Sequence, residues 1–550
     1  MKRRLVIFIT VIMLIVAVFS GCAGKQGDSV SGDKTATGSS PTGSPISSGG
    51  EDEELTWETA DLSWKKDTSP VTFSIFIDFT WYLVDTWGKD DVSKEITKRT
   101  GVSLDVTKAN DPTQIQVLLA GGELPDLVFV ARNVERFHDP DICYRWDELI
   151  EQYCPEFIKL VDPKEIVNNT AADGHIYTFK THFNDDKAWN DPRNLPSPGA
   201  SGFHYRKDIV EKLGNPPLKS LDDLVNIFAM VKEKYPDMTV YIPHPTWPTP
   251  YLDWMGFFTP DSKYADNGKV YLGISQPGLV EYYKFFNKLY REGYMSMEAL
   301  AYQPEQFFQI VRSGKAFSAN YNTGLSDETN KVFKEQNVDG MFEPIMGPLE
   351  VDGKIKYKVL QSAAGWASCF ITKNCKNPGR AIRFMEFLKS PEGDRLTQWG
   401  IEGVHYTLDE EGLLVRPEGF ADIPTQEHGA GACWYFQASG LGEGITIASD
   451  PAYPLRAKLL KAIKPYCVRD IGLNFVQPVA DSEEMNILVK ITELITNTQP
   501  KMYGASTEEE AVTLFEKMLQ DADKLGLKRL EEYMTTKYND AMKMLQEIKY

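Results

Sequence analysis

Strand and helix patterns alternate at the start of the folded region, and this order constrains the fold more than any other feature. Residues 71–79 alternate apolar and polar positions as a strand does, and residues 89–99 have helical spacing. The strand pattern returns at 102–106, and a helical stretch at 112–120 precedes a buried-type strand at 127–130. This order predicts an α/β fold that opens on a parallel sheet.

Ligands of open α/β sheets gather beyond the carboxyl ends of the strands. In this chain that edge is expected at Asp78 and Trp81, which follow the first strand, and at Arg132 and Asn133, which follow the third. These four side chains are therefore candidates for ligand binding. Each of them can equally be an ordinary loop residue, because polar and aromatic side chains are common in loops.

Residues 1–21 have the pattern of a lipoprotein signal peptide. Three basic residues precede an uncharged apolar run at 5–19, which is shorter than a membrane-spanning helix, and Ser20, Gly21 and Cys22 follow. The last part resembles a bacterial lipobox, with Phe19 where Leu is usual. We expect cleavage before Cys22, lipid such as palmitate on Cys22, and anchoring to the outer face of the cytoplasmic membrane. The alternative is a plain secretory signal with a chance cysteine.

Residues 22–63 are expected to form a flexible tether, and the folded region is expected to begin at Trp64. The segment as far as Gly50 is rich in Gly and Ser and has no aromatic residue, so it cannot build a core. The other cysteines, at 143, 154, 369, 375, 433 and 467, are spaced irregularly and form no C-x-x-C motif. They indicate neither a zinc site nor a thioredoxin motif, and disulfide pairing among them stays open.

Charge argues against a nucleic-acid partner. Asp and Glu number 78 against 59 Lys and Arg, a net charge of -19, which repels a polyanion over most of the surface. Aromatic residues make up 12% of the chain, which leaves rings available for a ligand surface.

Several short motifs resemble, in the same order, those of the family 1 extracellular solute-binding proteins of ABC transporters. The motifs are Leu119-Ala-Gly-Gly-Glu-Leu-Pro-Asp-Leu-Val-Phe-Val130, Asp173-Gly-His-Ile-Tyr177, Tyr205-Arg-Lys-Asp208, Glu211-Lys-Leu-Gly214, Ser220-Leu-Asp-Asp-Leu224, Gly314-Lys-Ala316, Ser390-Pro-Glu-Gly393 and Trp399-Gly-Ile-Glu-Gly-Val-His-Tyr-Thr407. The last two look like the LplA-type, oligosaccharide-binding lipoprotein branch. His175 departs from the family pattern, which has Lys there.

The resemblance implies a two-lobed, type II-like periplasmic-binding-protein fold, in which each lobe is a central sheet flanked by helices and a ligand is clasped between the lobes. The expected boundaries are 64–180 with 312–350 for the first lobe, 181–311 with 351–500 for the second, and 501–550 for extra carboxyl-terminal helices that pack on a lobe. A coiled-coil partner is the alternative for those helices, although they hold no strict heptad.

Sugar binding needs rings that stack on C–H faces and polar groups that pair with hydroxyls. Trp81, Trp189, Trp247 and Trp366 are in loop-like settings and are the expected rings, whereas Trp146, Trp254 and Trp399 have core-like neighbours. Trp366 precedes a strand at 369–372, where the resemblance implies entry into the second lobe, and we expect it to oppose Trp81. Candidate polar contacts, each of which can equally be structural, are Asp78, Arg132, Asn133, Arg206 and Tyr321.

The resemblance implies a monomeric binding protein without cofactor or metal, whose partners are an oligosaccharide and ABC permease subunits, with no nucleic acid and only a lipid anchor in the membrane. A secreted glycoside hydrolase is one alternative, because two catalytic carboxylates can hide among so many acidic residues. No hydrolase or P-loop motif is visible. A surface adhesin is the other alternative, although no repeats are visible.

Overall fold

The computed structural model describes residues 55–111, 113–197, 199–244, 247, 250–362, 364–431, 434–479 and 481–548. The predicted signal peptide, the lipid site at Cys22 and the tether as far as residue 54 lie outside the described residues. The folded region begins earlier than the expected Trp64, because Leu62 is buried and the Trp57 ring lies 6.1 Å from that of Phe157. The last part of the predicted tether is therefore folded.

The strands of the described residues are short and fall into two main sheets and three pairs. They are β1 (Val71–Ile77), β2 (Val102–Lys108), β3 (Leu127–Val130), β4 (Ser201–Arg206), β5 (Thr239–Ile242), β6 (Lys263–Asp266), β7 (Lys269–Leu272), β8 (Ala316–Asn322), β9 (Phe342–Pro344), β10 (Val359–Gln361), β11 (Ser368–Ile371), β12 (Thr407–Leu408), β13 (Leu414–Val415) and β14 (Cys467–Arg469).

Helices flank both main sheets. The α-helices are α1 (Asp91–Thr100), α2 (Gln114–Gly121), α3 (Trp146–Tyr153), α4 (Phe157–Leu160), α5 (Pro163–Asn169), α6 (Asp186–Asn190), α7 (Lys207–Lys212), α8 (Leu221–Lys234), α9 (Pro250–Met255), α10 (Val280–Arg291), α11 (Pro304–Arg312), α12 (Leu325–Gln336), α13 (Pro378–Lys389), α14 (Pro391–Trp399), α15 (Thr425–His428), α16 (Gly440–Ser449), α17 (Pro454–Ile463), α18 (Glu483–Tyr503), α19 (Glu508–Leu525) and α20 (Leu527–Glu547). Short 3-10 helices are Ser63–Lys66, Val134–Phe137, Gly273–Ser275, Met297–Ala301, Phe420–Asp422, Lys464–Tyr466 and Ile471–Phe475.

Local sequence signals explain several helix ends. The Asp90 side chain accepts a hydrogen bond from the Ser93 amide and so starts α1, which ends at Gly101 with φ of 72°. Ser220 and Asp223 form a capping box at the start of α8, as their spacing predicts. Such caps each stabilise a helix by about 1 kcal/mol.

The first main sheet has the order β11-β3-β1-β2 and forms the centre of the first lobe. β1 pairs in parallel with β2 and β3, as the opening pattern predicts, and β11 pairs antiparallel to β3. All four residues of β3 are fully buried, because helices cover both faces of the sheet.

The second main sheet has the order β5-β8-β4-β9 and forms the centre of the second lobe. β4 pairs antiparallel with β8 and β9, and β5 pairs in parallel with β8. Tyr241, Phe228 and Phe317 lie in the large apolar core built around this sheet.

The sheet order corrects the expected lobe boundaries. Residues 312–350 were expected in the first lobe, but β8 and β9 pair with β4 in the second. Residues 351–500 were expected in the second lobe, but β11 pairs with β3 in the first, where α13 packs on α3. An apolar strand pattern predicts burial without naming the sheet that buries the strand, which is why the boundaries were misplaced.

The chain crosses between the lobes three times. It leaves the first lobe after Phe183, returns just before β11, and leaves again after Ser439 through α16 and α17. Phe183 and Ser439 form a β-bridge, and β10 pairs in parallel with β14, so the crossing segments support one another. These paired segments form the hinge region between the lobes.

The carboxyl-terminal helices pack on the second lobe. α18 and α19 pack on α10, and α20 packs on β7. The chain turns between α19 and α20 at Gly526, with φ of 108°, as the sequence break predicts. Phe515, Met518 and Leu530 of these helices belong to the second-lobe core. Within the described residues, no helix is long and apolar enough to cross a membrane.

Candidate functional site

Three strand ends meet at one edge of the first-lobe sheet. Ile77 pairs with Phe129 and Ser368 pairs with Val130, so the carboxyl ends of β1 and β3 lie beside the amino end of β11. Asp78 follows β1, Arg132 follows β3 and Trp366 precedes β11, so the three residues lie at the same edge of the sheet. The sequence predicted this position for Asp78 and Arg132.

An aromatic platform covers this edge of the first lobe. The Phe79 ring lies 5.2 Å from both the Trp81 and the Trp366 rings, which lie 5.8 Å from each other. Trp81 is 57% exposed and Trp366 is 37% exposed. The platform also includes three buried rings that pack against Trp366: Phe129, His182 and Tyr435. Two exposed indoles on a rigid aromatic base form a surface for a flat apolar ligand face.

The expectation that Trp81 and Trp366 face each other from opposite lobes is wrong. Both belong to the first lobe, because the strand after Trp366 pairs with β3. With φ of 73°, Gly365 would place a Cβ 1.7 Å from the Thr181 carbonyl oxygen, so the neighbouring chain requires glycine here.

Asp78 presents an unused acceptor at the base of this edge. Its side chain is buried, Oδ2 lies 4.0 Å from the Arg132 guanidinium, and Oδ1 has no hydrogen-bond partner among the described residues. Burial raises the pKa of Asp78, and the Arg132 charge opposes that shift. Asn133 follows with φ of 53° and is exposed where the 3-10 helix Val134–Phe137 begins.

The second lobe places a smaller ring group at the matching edge of its sheet. β5 and β8 both end here and β4 begins here, since Ser201 pairs with Asn322. The Tyr321 ring lies 4.6 Å from the His244 ring and 5.1 Å from the Trp247 ring. Burial lowers the pKa of His244 to about 4, so this imidazole is neutral at neutral pH.

A cavity of about 310 Å³ lies between the lobes at the hinge. The first-lobe side presents His182 and Trp366, and the second-lobe side presents Asp253, Phe258, Thr259 and Ser262. Residues from the crossing segments complete the lining. The exposed indole of Trp366 therefore belongs both to the aromatic platform and to this cavity, which joins the two into one candidate ligand site.

Polar atoms without protein partners line the cavity. His182 stacks on Trp366 with an interplanar angle of 16°, its Nε2 lies 3.1 Å from Gln398 Nε2, and its Nδ1 has no partner among the described residues. The Asp253 carboxylate likewise has no hydrogen bond or ion pair within the described chain, and burial raises its pKa. Sequence reasoning missed both, because no pattern tells which face of these short segments meets the cleft.

Arg206 lies away from the candidate site. Its guanidinium is buried, forms an ion pair with Asp208 at 2.7 Å and donates to the carbonyl oxygens of Gly314 and Asp339. It stands at the opposite end of β4 from Ser201, which lines the cavity. The prediction of Arg206 as a ligand contact is corrected, since the structure supports its alternative as a structural ion pair.

Trp189 lies in α6, in the first crossing segment, and does not line the cavity. Cations cover its ring, because Arg469 lies 4.6 Å and Lys464 5.3 Å from the centroid. A second cavity of about 350 Å³ lies beside this segment and includes Asn184, which also lines the cleft, and Tyr538 of α20. The Tyr538 hydroxyl donates to Asp470 at 2.8 Å, so the last helix contacts the hinge region.

The described cysteines are free thiols, and no described group of acidic, His or Cys side chains could hold a metal ion. Cys143, Cys154, Cys369 and Cys375 are buried, and burial raises the pKa of each thiol. Cys433 lies outside the described residues.

The chain is similar to two Bacillus subtilis proteins at low sequence identity. The polygalacturonan/rhamnogalacturonan-binding protein YtcQ of Bacillus subtilis (strain 168) is 23% identical over 371 residues, 60% of this chain and 66% of that protein, so the match spans just under two thirds of YtcQ. Lipoprotein LipO of the same organism is 22% identical over 374 residues, 61% of this chain and 70% of LipO.

Solved structures share the fold. Alginate-binding protein AlgQ2 without calcium ion has a TM-score of 0.64 at 19% identity over 86% of this chain and 98% of AlgQ2. The Streptococcus pneumoniae ABC-transporter substrate binding protein FusA, in complex with kestose, has a TM-score of 0.61 at 17% identity over 86% of this chain and 99% of FusA. These identities are low, so the likeness shows the two-lobed fold alone.

The family described as bacterial extracellular solute-binding protein matches residues 89–395, which is more than half of the chain. The chain therefore belongs to the bacterial extracellular solute-binding protein family.

Proposed function

We propose that this protein is the membrane-anchored receptor of an ABC importer, which captures an oligosaccharide between its lobes and delivers it to the permease. The observation that carries the proposal is the exposure of Trp81 and Trp366 on a rigid aromatic platform at the cleft. Sugar rings present C–H faces that stack on indoles, and their hydroxyls pair with polar side chains. The names of YtcQ, AlgQ2 and FusA, which refer to saccharide ligands, support this class of ligand.

The ligand contacts that we propose come from both lobes. Trp81 and Trp366 stack on sugar, and the free Oδ1 of Asp78 accepts from a hydroxyl. The other contacts are Arg132 and Asn133 on the first lobe and Trp247 and Tyr321 on the second. Trp189 and Arg206 do not belong to this set, since other protein groups occupy both side chains.

Closure of the lobes is the functional event that we propose. A ligand can favour a closed state only by binding it more tightly than the open state, so it must contact both lobes. The cavity lining from both lobes supports this role, with His182 and Trp366 on one side and Asp253 and Phe258 on the other. The paired crossing segments provide the hinge.

Lipid on Cys22 and the Gly/Ser-rich tether would keep the protein at the outer face of the cytoplasmic membrane. The protein would act there as a monomer. A tethered receptor meets a permease in the same membrane at a high effective concentration, which favours delivery over loss to the medium. The motif around Cys22 and the name of the relative lipoprotein LipO support anchoring.

To test the proposal, the purified full chain in detergent is titrated with neutral, amino and acidic oligosaccharides. Intrinsic tryptophan fluorescence measures binding at each sugar concentration. Saturation with intact ligand is the expected result. Chromatography of the recovered sugar checks for cleavage, and a shortened product would instead identify a hydrolase. The absence of saturation with every sugar would contradict oligosaccharide capture and leave an adhesive surface role.

A further inference from the structure

The charged side chains that line the interlobe cavity are all acidic. Among its described lining residues, Asp253 of α9 and Glu443 of α16 have carboxyl groups, and no lysine or arginine is present. His182 is the remaining titratable group. The cavity is therefore a place where a further negative charge is unfavourable.

Asp253 is the less compensated of the two carboxylates. Its backbone carbonyl accepts from the Gly256 and Lys358 amides, but its side chain has no hydrogen-bond or ion-pair partner in the described chain. Burial raises the pKa of Asp253, and no nearby cation opposes the shift. Lys358 is exposed, and its Nζ lies 6.0 Å from the Phe258 ring centroid, outside the cavity lining.

Glu443 lines the same cavity and lies beside His182 of the aromatic platform. Its Oε1 is 3.9 Å from His182 Nε2, and its side chain is 21% exposed. The His182 ring stacks on Trp366, so the Glu443 carboxylate stands near a sugar held against that indole. Both acidic groups thus belong to the lining of the cavity in which the ligand is proposed to bind.

Cations near the cleft lie outside the cavity lining and have acidic or amide neighbours. Arg132 faces Asp78, and Lys263 Nζ donates to Gln477. Burial lowers the pKa of Lys180 and of Lys263, and the Glu135 carboxylate opposes that shift in both. None of these three cations lines the cavity itself.

We propose that the cavity selects sugars without carboxylate groups, so that neutral or amino oligosaccharides bind and uronic acid oligosaccharides are excluded, through the negative charge of Glu443 in a cavity whose other acidic group, Asp253, has no cation beside it. The inference rests on the proposed capture of oligosaccharides and names the class within it. Hydroxyl groups donate to carboxylates, and an amine would pair with them, whereas a uronate meets like charge in a partly desolvated space. The protein would then differ from relatives whose names refer to alginate and polygalacturonan.

The experiment measures calorimetric dissociation constants of the full chain for matched sugars at neutral pH and low salt. Each uronic acid trisaccharide is compared with the same trisaccharide after reduction of its carboxylates to primary alcohols, and neutral gluco- and mannotrisaccharides and a glucosamine trisaccharide complete the panel. We expect at least one sugar without carboxylates to bind about 100-fold more tightly than any uronate, since a like charge about 6 Å away in a protein cleft has an effect of that order.

The double variant Asp253→Asn with Glu443→Gln should reduce this selectivity about tenfold or more, because it removes the repulsive Glu443 charge, leaves no ionisable carboxyl group in the described lining and keeps the side-chain volumes. The matched control, Asp237→Asn with Glu410→Gln, removes two exposed carboxylates that do not line the cavity and should leave the selectivity unchanged. If the double variant does not fold, as judged from its thermal midpoint, the single Glu443→Gln variant replaces it.

The outcomes are distinct. A uronate that binds as tightly as its reduced form, or selectivity that survives in the folded variant, would overturn the charge inference while leaving oligosaccharide capture intact. Failure of every sugar to bind would overturn the proposed function and the inference together.

Discussion

Replacement of Trp366 by alanine tests the aromatic platform most directly. A tryptophan buries up to about 250 Å², and Trp366 is 37% exposed, so about 90 Å² remains for a ligand. At about 25 cal/mol per Å², covering that area contributes about 2 kcal/mol, which is about 30-fold in the dissociation constant. We therefore expect Trp366→Ala to bind the tightest oligosaccharide of the panel about 30-fold more weakly.

The same substitution should also lower stability without ligand. The buried part of Trp366 packs on Phe79, Trp81 and Tyr435, and truncating a partly buried tryptophan costs up to about 3 kcal/mol. Trp366→Phe retains most of this packing and should recover much of the affinity. Trp57→Ala, which removes a half-buried ring outside the cleft, is the matched control.

Calorimetric titration and thermal unfolding of the same samples separate the two effects. Trp57→Ala should lower the unfolding midpoint and leave the dissociation constant unchanged, whereas Trp366→Ala should change both. An unchanged dissociation constant for folded Trp366→Ala would refute the stacking role and leave this ring as packing alone.

Further predictions concern lipid anchoring, lobe closure, the pH dependence of stability and the structural role of Arg206. Cys22→Ala should move the protein from the membrane to the soluble fraction, and its retention in membranes on fractionation would contradict lipid anchoring. Small-angle scattering should show a smaller radius of gyration with a saturating oligosaccharide, and an unchanged radius would indicate a rigid site. Burial raises the pKa of Glu386 from 4.5 to about 7, so its protonated form stabilises the fold at low pH, and about 3 kcal/mol of the free energy of unfolding is lost as pH rises from about 4.5 to 7. Glu386→Gln should flatten the plot of urea midpoint against pH over this range. An unaltered slope would contradict the raised pKa of Glu386. Arg206→Met should cost about 3 kcal/mol of stability, because Asp208 loses its buried partner and keeps only Lys212 and the Met341 amide; the sugar affinity should not change, and a large affinity loss would return Arg206 to the site.

Local sequence signals predicted the elements well where one physical cause dominates. β3 is an apolar run between turns and matches its predicted limits of 127–130, and α13 begins at Pro378, which suits the first turn of a helix. The predicted start of α1 at residue 89 was early, because Asp90 acts as the cap and lies outside the helix. Trp146, Trp254 and Trp399 are buried, as their apolar neighbours predicted.

Sheet membership and side-chain direction could not be predicted from the sequence. β8 and β11 have apolar patterns that suit either lobe, and only their long-range partners decide between the sheets. For the same reason Trp366 was expected opposite Trp81, although the two rings are neighbours. His182 and Asp253 gave no signal at all, because their position in the cleft depends on contacts between segments far apart in sequence.

The contact between α20 and the hinge region makes this chain suitable for conversion into an optical sensor. Tyr538 and Met542 line the cavity that shares Asn184 with the cleft, so a dye on a Met542→Cys variant would stand where lobe movement changes its surroundings. The native thiols at 143, 154, 369 and 375 are buried with raised pKa values, so they would react slowly with a maleimide. Ligand capture could then be read as a change in emission without altering any residue of the binding cleft.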